Sequence, residues 1–168
     1  MKESLPQRKH PRLKEFDYAS AGAYFITICT HERRCILSKI VGRGLAPAEV
    51  HLTTYGAIAK EQLHLLPERF PSLSIDHYVI MPNHIHAVLF LEGRAELCSR
   101  PTITDIVCAY KSLTTRACKK EIPCCKIFQT SFYEHVIRGR KDYLEIAEYI
   151  LNNPKQWELD EMYLDDKA

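Results

Sequence analysis

Apolar positions recur along this chain with two different periods, and the switches between them lay out its elements. Ala23 to Thr30 (AYFITICT) is dense in aromatic and β-branched residues and reads as a strand. Arg43 to Thr53 follows as a loop or short hairpin, with Gly42, Gly44 and Pro47 as breakers. Thr54 reads as a helix N-cap, and Ile58, Gln62, Leu65 and Leu66 continue at helical spacing until Pro67. A second strand runs from Ser72 or Ser74 to Met81. Pro82-Asn83 is a turn short enough to imply an antiparallel return into a third strand, His84 to Leu91.

Beyond a polar connection, Thr102 caps a long helix to about Lys119, with Ile103, Ile106, Val107, Tyr110, Leu113 and Thr114 as its inner stripe. Ser131 to Arg138 (SFYEHVIR) alternates as a strand should. Lys141 to Asn152 is a last helix with Tyr143, Ile146, Ala147 and Ile150 on one face, stopped by Pro154. The order β-α-β-β-α-β-α opens with a split βαβ. It predicts an α+β, ferredoxin-like sandwich: an antiparallel sheet with two helices on one face. The last helix is extra, and its placement on the opposite face would explain why His84 to Leu91 is apolar on both sides.

Composition narrows the setting. A chain of 168 residues supports one domain, here taken as residues 1–168 with a basic arm at 1–20 and a fraying acidic tail at 158–168. No apolar run reaches the roughly 20 residues of a membrane span, and the polar, basic first segment is no secretory signal, so a cytoplasmic setting is expected, with no membrane partner. The seven cysteines are odd in number and irregularly spaced, with no Cys-x-x-Cys, which argues against disulfides and structural zinc. Cys29 and Cys108 read as small buried hydrophobes.

A net charge of +2 does not announce a nucleic-acid binder, but the distribution changes that picture. Arg8, Lys9 and Arg12 crowd the first segment, Lys111, Arg116, Lys119 and Lys120 mark the long helix, and Arg138 and Arg140 follow the last strand. Any one cluster is an ordinary solvated face. Three of them around a candidate metal site point to a phosphate-rich ligand.

That candidate site is Met81-Pro82-Asn83-His84-Ile85-His86. Positions i and i+2 of a strand share a face, so His84 and His86 stand side by side as half of a metal site. A lone His-x-His is more often structural. Here Tyr149 and Asn153, at i and i+4 on the last helix, lie over the same surface if that helix packs on the sheet. Two imidazoles and an amide oxygen would hold a divalent cation, Mg²⁺ or Mn²⁺, and leave positions for a phosphate oxygen and water. A tyrosine there could attack phosphorus and form a covalent phosphotyrosine, which conserves the ester for rejoining. Of the nine tyrosines, Tyr133 and Tyr143 are the rivals, and each reads as packing. His77 and His135, also on predicted strands, read as structural.

MPNHIH resembles the His-hydrophobic-His motif of the HUH endonucleases. Phe128 to Arg138 (FQTSFYEHVIR) and Glu148 to Pro154 (EYILNNP) resemble the carboxy-terminal half of the REP-associated tyrosine transposases. The resemblance extends from about Tyr24 to Trp157. It implies a metal-dependent single-stranded DNA endonuclease or transposase that binds hairpins and cuts beside them. The cut would leave a 5′-phosphotyrosine and a free 3′-hydroxyl. It also implies His84, His86 and Asn153 as metal ligands, Tyr149 as nucleophile, and single-stranded DNA with hairpins or palindromic repeats as partner, for a monomer or homodimer. Phe128 stands where relatives commonly carry Trp. The alternative is a non-catalytic hairpin-binding protein on the same fold; a metal-dependent hydrolase of small substrates fits a tyrosine nucleophile poorly.

Overall fold

The computed structural model describes residues 21–42, 47–93, 101–121 and 126–164. Its main sheet is built from β1 (Gly22–Cys29), β4 (Leu73–Ile80), β5 (His84–Leu91) and β6 (Tyr133–Ile137), in the order β4-β5-β1-β6 with every neighbour antiparallel. The intervening helices are α1 (Thr54–His64) and α3 (Ile103–Glu121), so the order around this sheet is the expected β-α-β-β-α-β. The fold is α+β, as the hydrophobic pattern predicts. The segment read as a loop or hairpin contributes to a separate two-stranded ribbon, β2 (Ser38–Val41) with β3 (Glu49–Leu52). A single helical turn, α2 (Leu66–Arg69), follows α1.

Strand alternation sorts β1 and β5 into two faces. Tyr24, Ile26 and Ile28 with Ile85, Ala87, Leu89 and Leu91 meet Ile58, Ala59 and Leu63 of α1 and Ile103, Ile106, Val107 and Tyr110 of α3. On the other face Phe25 and Val88 join Val79, Met81, Ile150 and Trp157 in a second core. Ile150 belongs to α4 (Arg140–Asn152), which packs against β4 and β5. The central strand is therefore covered on both sides, which is why its sequence does not alternate apolar with polar.

Two local details differ from the sequence reading. The α1 cap is Thr53, whose side chain accepts from Gly56 N, one residue earlier than expected. Gly56 is required by close approach: a Cβ there would stand 1.9 Å from the Leu37 carbonyl oxygen. A bulge between Ile75 and Tyr78 interrupts the β4–β5 ladder. Asp76, inside the bulge, accepts a hydrogen bond from Tyr143 of α4. On the far side, His135 of β6 pairs with Asp142 at 2.9 Å. His77 and His135 thus belong to contacts around α4, away from the histidine pair.

The acidic tail expected at 158–168 is described as far as residue 164. The 3₁₀ turns of Asn153–Leu159 lead into a segment that returns to the Pro82-Asn83 turn. Tyr163 packs on Trp157, and the Met162 carbonyl accepts from Asn83 Nδ2 at 2.7 Å. Trp157 and its neighbours carry this segment into the second core, which acidic composition alone could not reveal. Cys108 is a further correction: it is exposed on the outer face of α3, while Cys118 is the buried cysteine of that helix.

Candidate active site

The histidine pair sits at the start of β5, where the turn is clamped from three sides. Met81 N donates to His84 O at 2.9 Å and closes the Pro82-Asn83 turn. Thr30 donates to Asn83 O through both its backbone N, at 2.9 Å, and its hydroxyl, at 3.0 Å. Leu37 N donates to Pro82 O at 3.0 Å. A rigid turn holds both imidazoles on the α4 face, with ring centroids 4.4 Å apart.

Hydrogen bonds behind the rings orient them. Asn83 Nδ2 is committed to the Met162 carbonyl, so Oδ1 is the atom facing His84 Nδ1 at 2.8 Å. An amide oxygen only accepts, which makes His84 Nδ1 the donor and leaves Nε2 as a lone pair. That Nε2 is buried and has no hydrogen-bond partner. His86 Nδ1 meets Thr27 Oγ1 at 2.8 Å, and Phe25 stacks on the ring at a centroid distance of 5.1 Å. His84, with a partner on one nitrogen and an open lone pair on the other, is held as metal-binding histidines are.

Alpha helix α4 then brings Tyr149 and Asn153 over the pair, one turn apart on one face. Tyr149 Oη lies 3.3 Å from His86 Nε2, while the residue remains 42% exposed. Asn153 is 2% exposed, and its Oδ1 is also buried without a partner. Its Nδ2 donates to Asp160 Oδ2 at 2.8 Å. Tyr149 Oη is 3.5 Å from the same carboxylate oxygen. Donor atoms of His84, His86 and Asp160 all lie within 4.8 Å of one another. Ligands about 2.1 Å from one ion stand about 3–4 Å from one another, so the three atoms must draw together to share a cation. The residues fit a divalent ion, and the C-terminal pole of α4 favours positive charge.

Electrostatics agree with that role. Burial pushes the His84 imidazole down to about 4, against the opposing pull of the Asp160 carboxylate and the nearby Asn153 side chain. His86 is pushed down by burial and by its neighbour His84. Both rings are neutral at ordinary pH. Burial, followed by the Asp160 charge, raises the Tyr149 phenol to about 12.

The rival tyrosines are elsewhere. Tyr143 is bound to Asp76, and Tyr133 sits on β6, 52% exposed. Of the expected DNA-contacting residues, Lys111, Arg116 and Lys119 share a groove of about 530 Å³ with Lys126, Gln129 and Thr130. Gln129 N donates to Cys29 O at 3.0 Å, and Cys29 pairs with His84, so the groove opens at the histidine end of the sheet. Lys120, Arg138 and Arg140 are exposed outside this groove, and Arg8, Lys9 and Arg12 lie outside the described residues.

Sequence reasoning missed Asp160, which stands in an acidic stretch with no pattern to single it out. It also missed Arg33. Glu32 and Arg33 adopt left-handed backbone, with φ of 57° and 53°, a conformation that costs non-glycine residues energy and often marks functional sites. The Arg33 charge acts on both His84 and Cys29.

No protein-family model matches the chain. It is 35% identical, over 96% of each chain, to an uncharacterised protein of Haemophilus influenzae Rd. It is 28% identical to the REP-associated tyrosine transposase of Escherichia coli K12, covering 82% of this chain and 68% of that one. Among solved structures it resembles a REP-associated tyrosine transposase bound to a REP hairpin, with a TM-score of 0.57 and 25% identity. That match takes in 79% of this chain but 66% of the other, just under two thirds of its length. A candidate transposase of Deinococcus radiodurans R1 shares the fold at a TM-score of 0.50 and 16% identity, over 84% of this chain and 95% of that one. No helix among the described residues is long and apolar enough to cross a membrane.

Proposed function

The chain belongs to the family of the REP-associated tyrosine transposases, and from that membership and the site's geometry we propose that it is a metal-dependent, single-tyrosine nuclease acting on single-stranded DNA beside hairpins. The observation that carries this reading is the approach of Tyr149 Oη to 3.3 Å from His86 Nε2, beside the unpartnered His84 Nε2 and Asn153 Oδ1.

In this reading His84, His86 and Asn153 hold Mg²⁺ or Mn²⁺. An ion bound there would supply Lewis acidity to the scissile phosphate and to the Tyr149 phenol. Tyr149 oxygen attacks phosphorus, a Tyr–O–P bond forms, and the bond to the 3′-oxygen breaks. The phenol gives its proton to solvent, and the departing 3′-oxygen takes one from water. The product is a 5′-phosphotyrosine and a free 3′-hydroxyl, and reversal by a DNA hydroxyl would rejoin strands. Thr27 and Asn83 orient the imidazoles throughout, while Phe25 and Trp157 wall the pair off from water. The groove lined by Lys111, Arg116 and Lys119 takes the DNA backbone, with Lys120, Arg138, Arg140 and the basic arm carrying Arg8, Lys9 and Arg12 as further phosphate contacts. A palindromic-repeat DNA and a cytoplasmic setting suit that chemistry.

The test uses a hairpin oligonucleotide labelled 3′ of the cut, with Mn²⁺. A DNA–protein adduct stable to denaturing electrophoresis is expected, lost in Tyr149→Phe and in His84→Ala. An adduct that persists in Tyr149→Phe removes the nucleophile assignment. Hairpin binding that is salt-sensitive, metal-indifferent and free of any adduct supports the non-catalytic alternative.

A further inference from the structure

We propose that Asp160 is a direct ligand of the divalent ion at the histidine pair, completing a His84–His86–Asp160 set to which Asn153 adds its amide. The inference rests on the reading of this pair as a metal centre.

Three observations support it. First, the Asp160 carboxylate reaches the site from outside the strand–helix frame. Its donor atom lies within 4.8 Å of both imidazole donors, the one such group of acidic, histidine and cysteine side chains among the described residues. Second, its orientation is imposed. Oδ1 accepts from Met162 N at 2.7 Å and Oδ2 from Asn153 Nδ2 at 2.8 Å, while Met162 O is held by Asn83. A carboxylate offers about four lone-pair sites, so these bonds leave room for a cation. Third, His84 Nε2 is unpartnered and its residue has 0% exposure. A buried imidazole nitrogen without a protein partner has a lone pair available for an ion.

Charge favours the carboxylate. Two neutral imidazoles and an amide bring no negative charge to a dication in a site this enclosed, and an uncompensated buried charge is costly. One carboxylate halves that excess and leaves a net positive centre for a DNA phosphate. A hard oxygen donor also tilts the site toward Mg²⁺ or Mn²⁺ over softer metals. The same ring of hydrogen bonds ties the ligand to the far end of the chain, so residues 160–163 become part of the metal centre.

The test is metal binding by the full chain, without DNA. Free Mn²⁺ is followed by electron paramagnetic resonance for wild type, His84→Ala and Asp160→Asn. Co²⁺ is then loaded into wild type and Asp160→Cys. Asp160 is only partly buried and lies outside both cores, so neither substitution threatens the fold. Expected are a loss of Mn²⁺ affinity of at least about tenfold in Asp160→Asn, and a new sulfur-to-cobalt charge-transfer band in Asp160→Cys that wild type lacks. Asp160→Asn binding Mn²⁺ within about threefold of wild type overturns the proposal. So does weakened binding with no new cobalt band, which makes Asp160 a positioning residue acting through Asn153. If His84→Ala binds Mn²⁺ like wild type, the metal-centre reading itself fails, a result separable from the other two.

Discussion

Asn83 Nδ2 donates to the Met162 carbonyl at 2.7 Å, joining positions 79 residues apart. The bond does two things. It fixes which end of the Asn83 amide faces His84, and so which imidazole nitrogen stays open. It also anchors the segment that carries Asp160. Asn83→Ala removes both effects while leaving the Pro82-Asn83 turn backbone intact. Mn²⁺ affinity is expected to fall roughly 10–100-fold, the usual cost of losing a residue that orients a ligand. Unchanged affinity in a Mn²⁺ titration would show that the His84 ring needs no such partner.

The buried histidines make the metal-free protein acid-sensitive. His84 titrates near 4 when folded, against an ordinary value of 6.5. Between those values the unfolded chain binds more protons, so stability falls as pH falls. The contribution is complete above about pH 6.5 and is lost as pH falls toward 4. His86 shifts in the same direction and adds to it. Thermal melts in the absence of metal should give a lower midpoint at pH 5 than at pH 7. Equal midpoints would contradict the burial of neutral imidazoles.

Gly56→Ala should be among the most destabilising single-methyl additions in the chain. The new Cβ would stand 1.9 Å from Leu37 O, a backbone atom that cannot step aside without moving the ribbon or α1. A loss of roughly 1–3 kcal/mol or more is expected from overpacking of this kind. Denaturant unfolding measures it, and a wild-type midpoint would mean that α1 shifts freely.

Arg33 is expected to serve phosphate binding without serving the metal. Its charge reaches His84 and Cys29 from an exposed, left-handed turn. Arg33→Ala should reduce adduct formation and its sensitivity to salt, since one fewer phosphate contact lowers the salt slope by about one. Mn²⁺ affinity should stay the same. A drop in metal affinity would instead give Arg33 a role in holding the site together.

Much of the site was legible because its parts are local. His84 and His86 are two residues apart on a strand, and Tyr149 and Asn153 four apart on a helix, so strand and helix periods alone place each pair on one face. Tyr143 packs against the second core, as its place in an apolar stripe implied, but Tyr133, read as packing beside Phe132, is 52% exposed. The basic residues were less legible. Lys111, Arg116 and Lys119 share a groove, yet Lys120 next in line lies outside it, a distinction no charge count makes.

By itself the sequence determined the order of the main-sheet strands and their long helices, the two-sided burial of β5, and the pairing of His84 with His86 and of Tyr149 with Asn153 on shared faces. Each follows from periodicity over a few residues. Only the tertiary structure decided that Asp160 stands beside His84 and His86, that Asn83 selects the open His84 nitrogen, and that the Arg33 charge acts on His84 and Cys29. Those relationships cross tens of residues and depend on how Trp157 and Tyr163 seat the end of the chain against the second core. An acidic residue in an acidic stretch carries no local mark; its role comes from the fold that brings its carboxylate to the histidines.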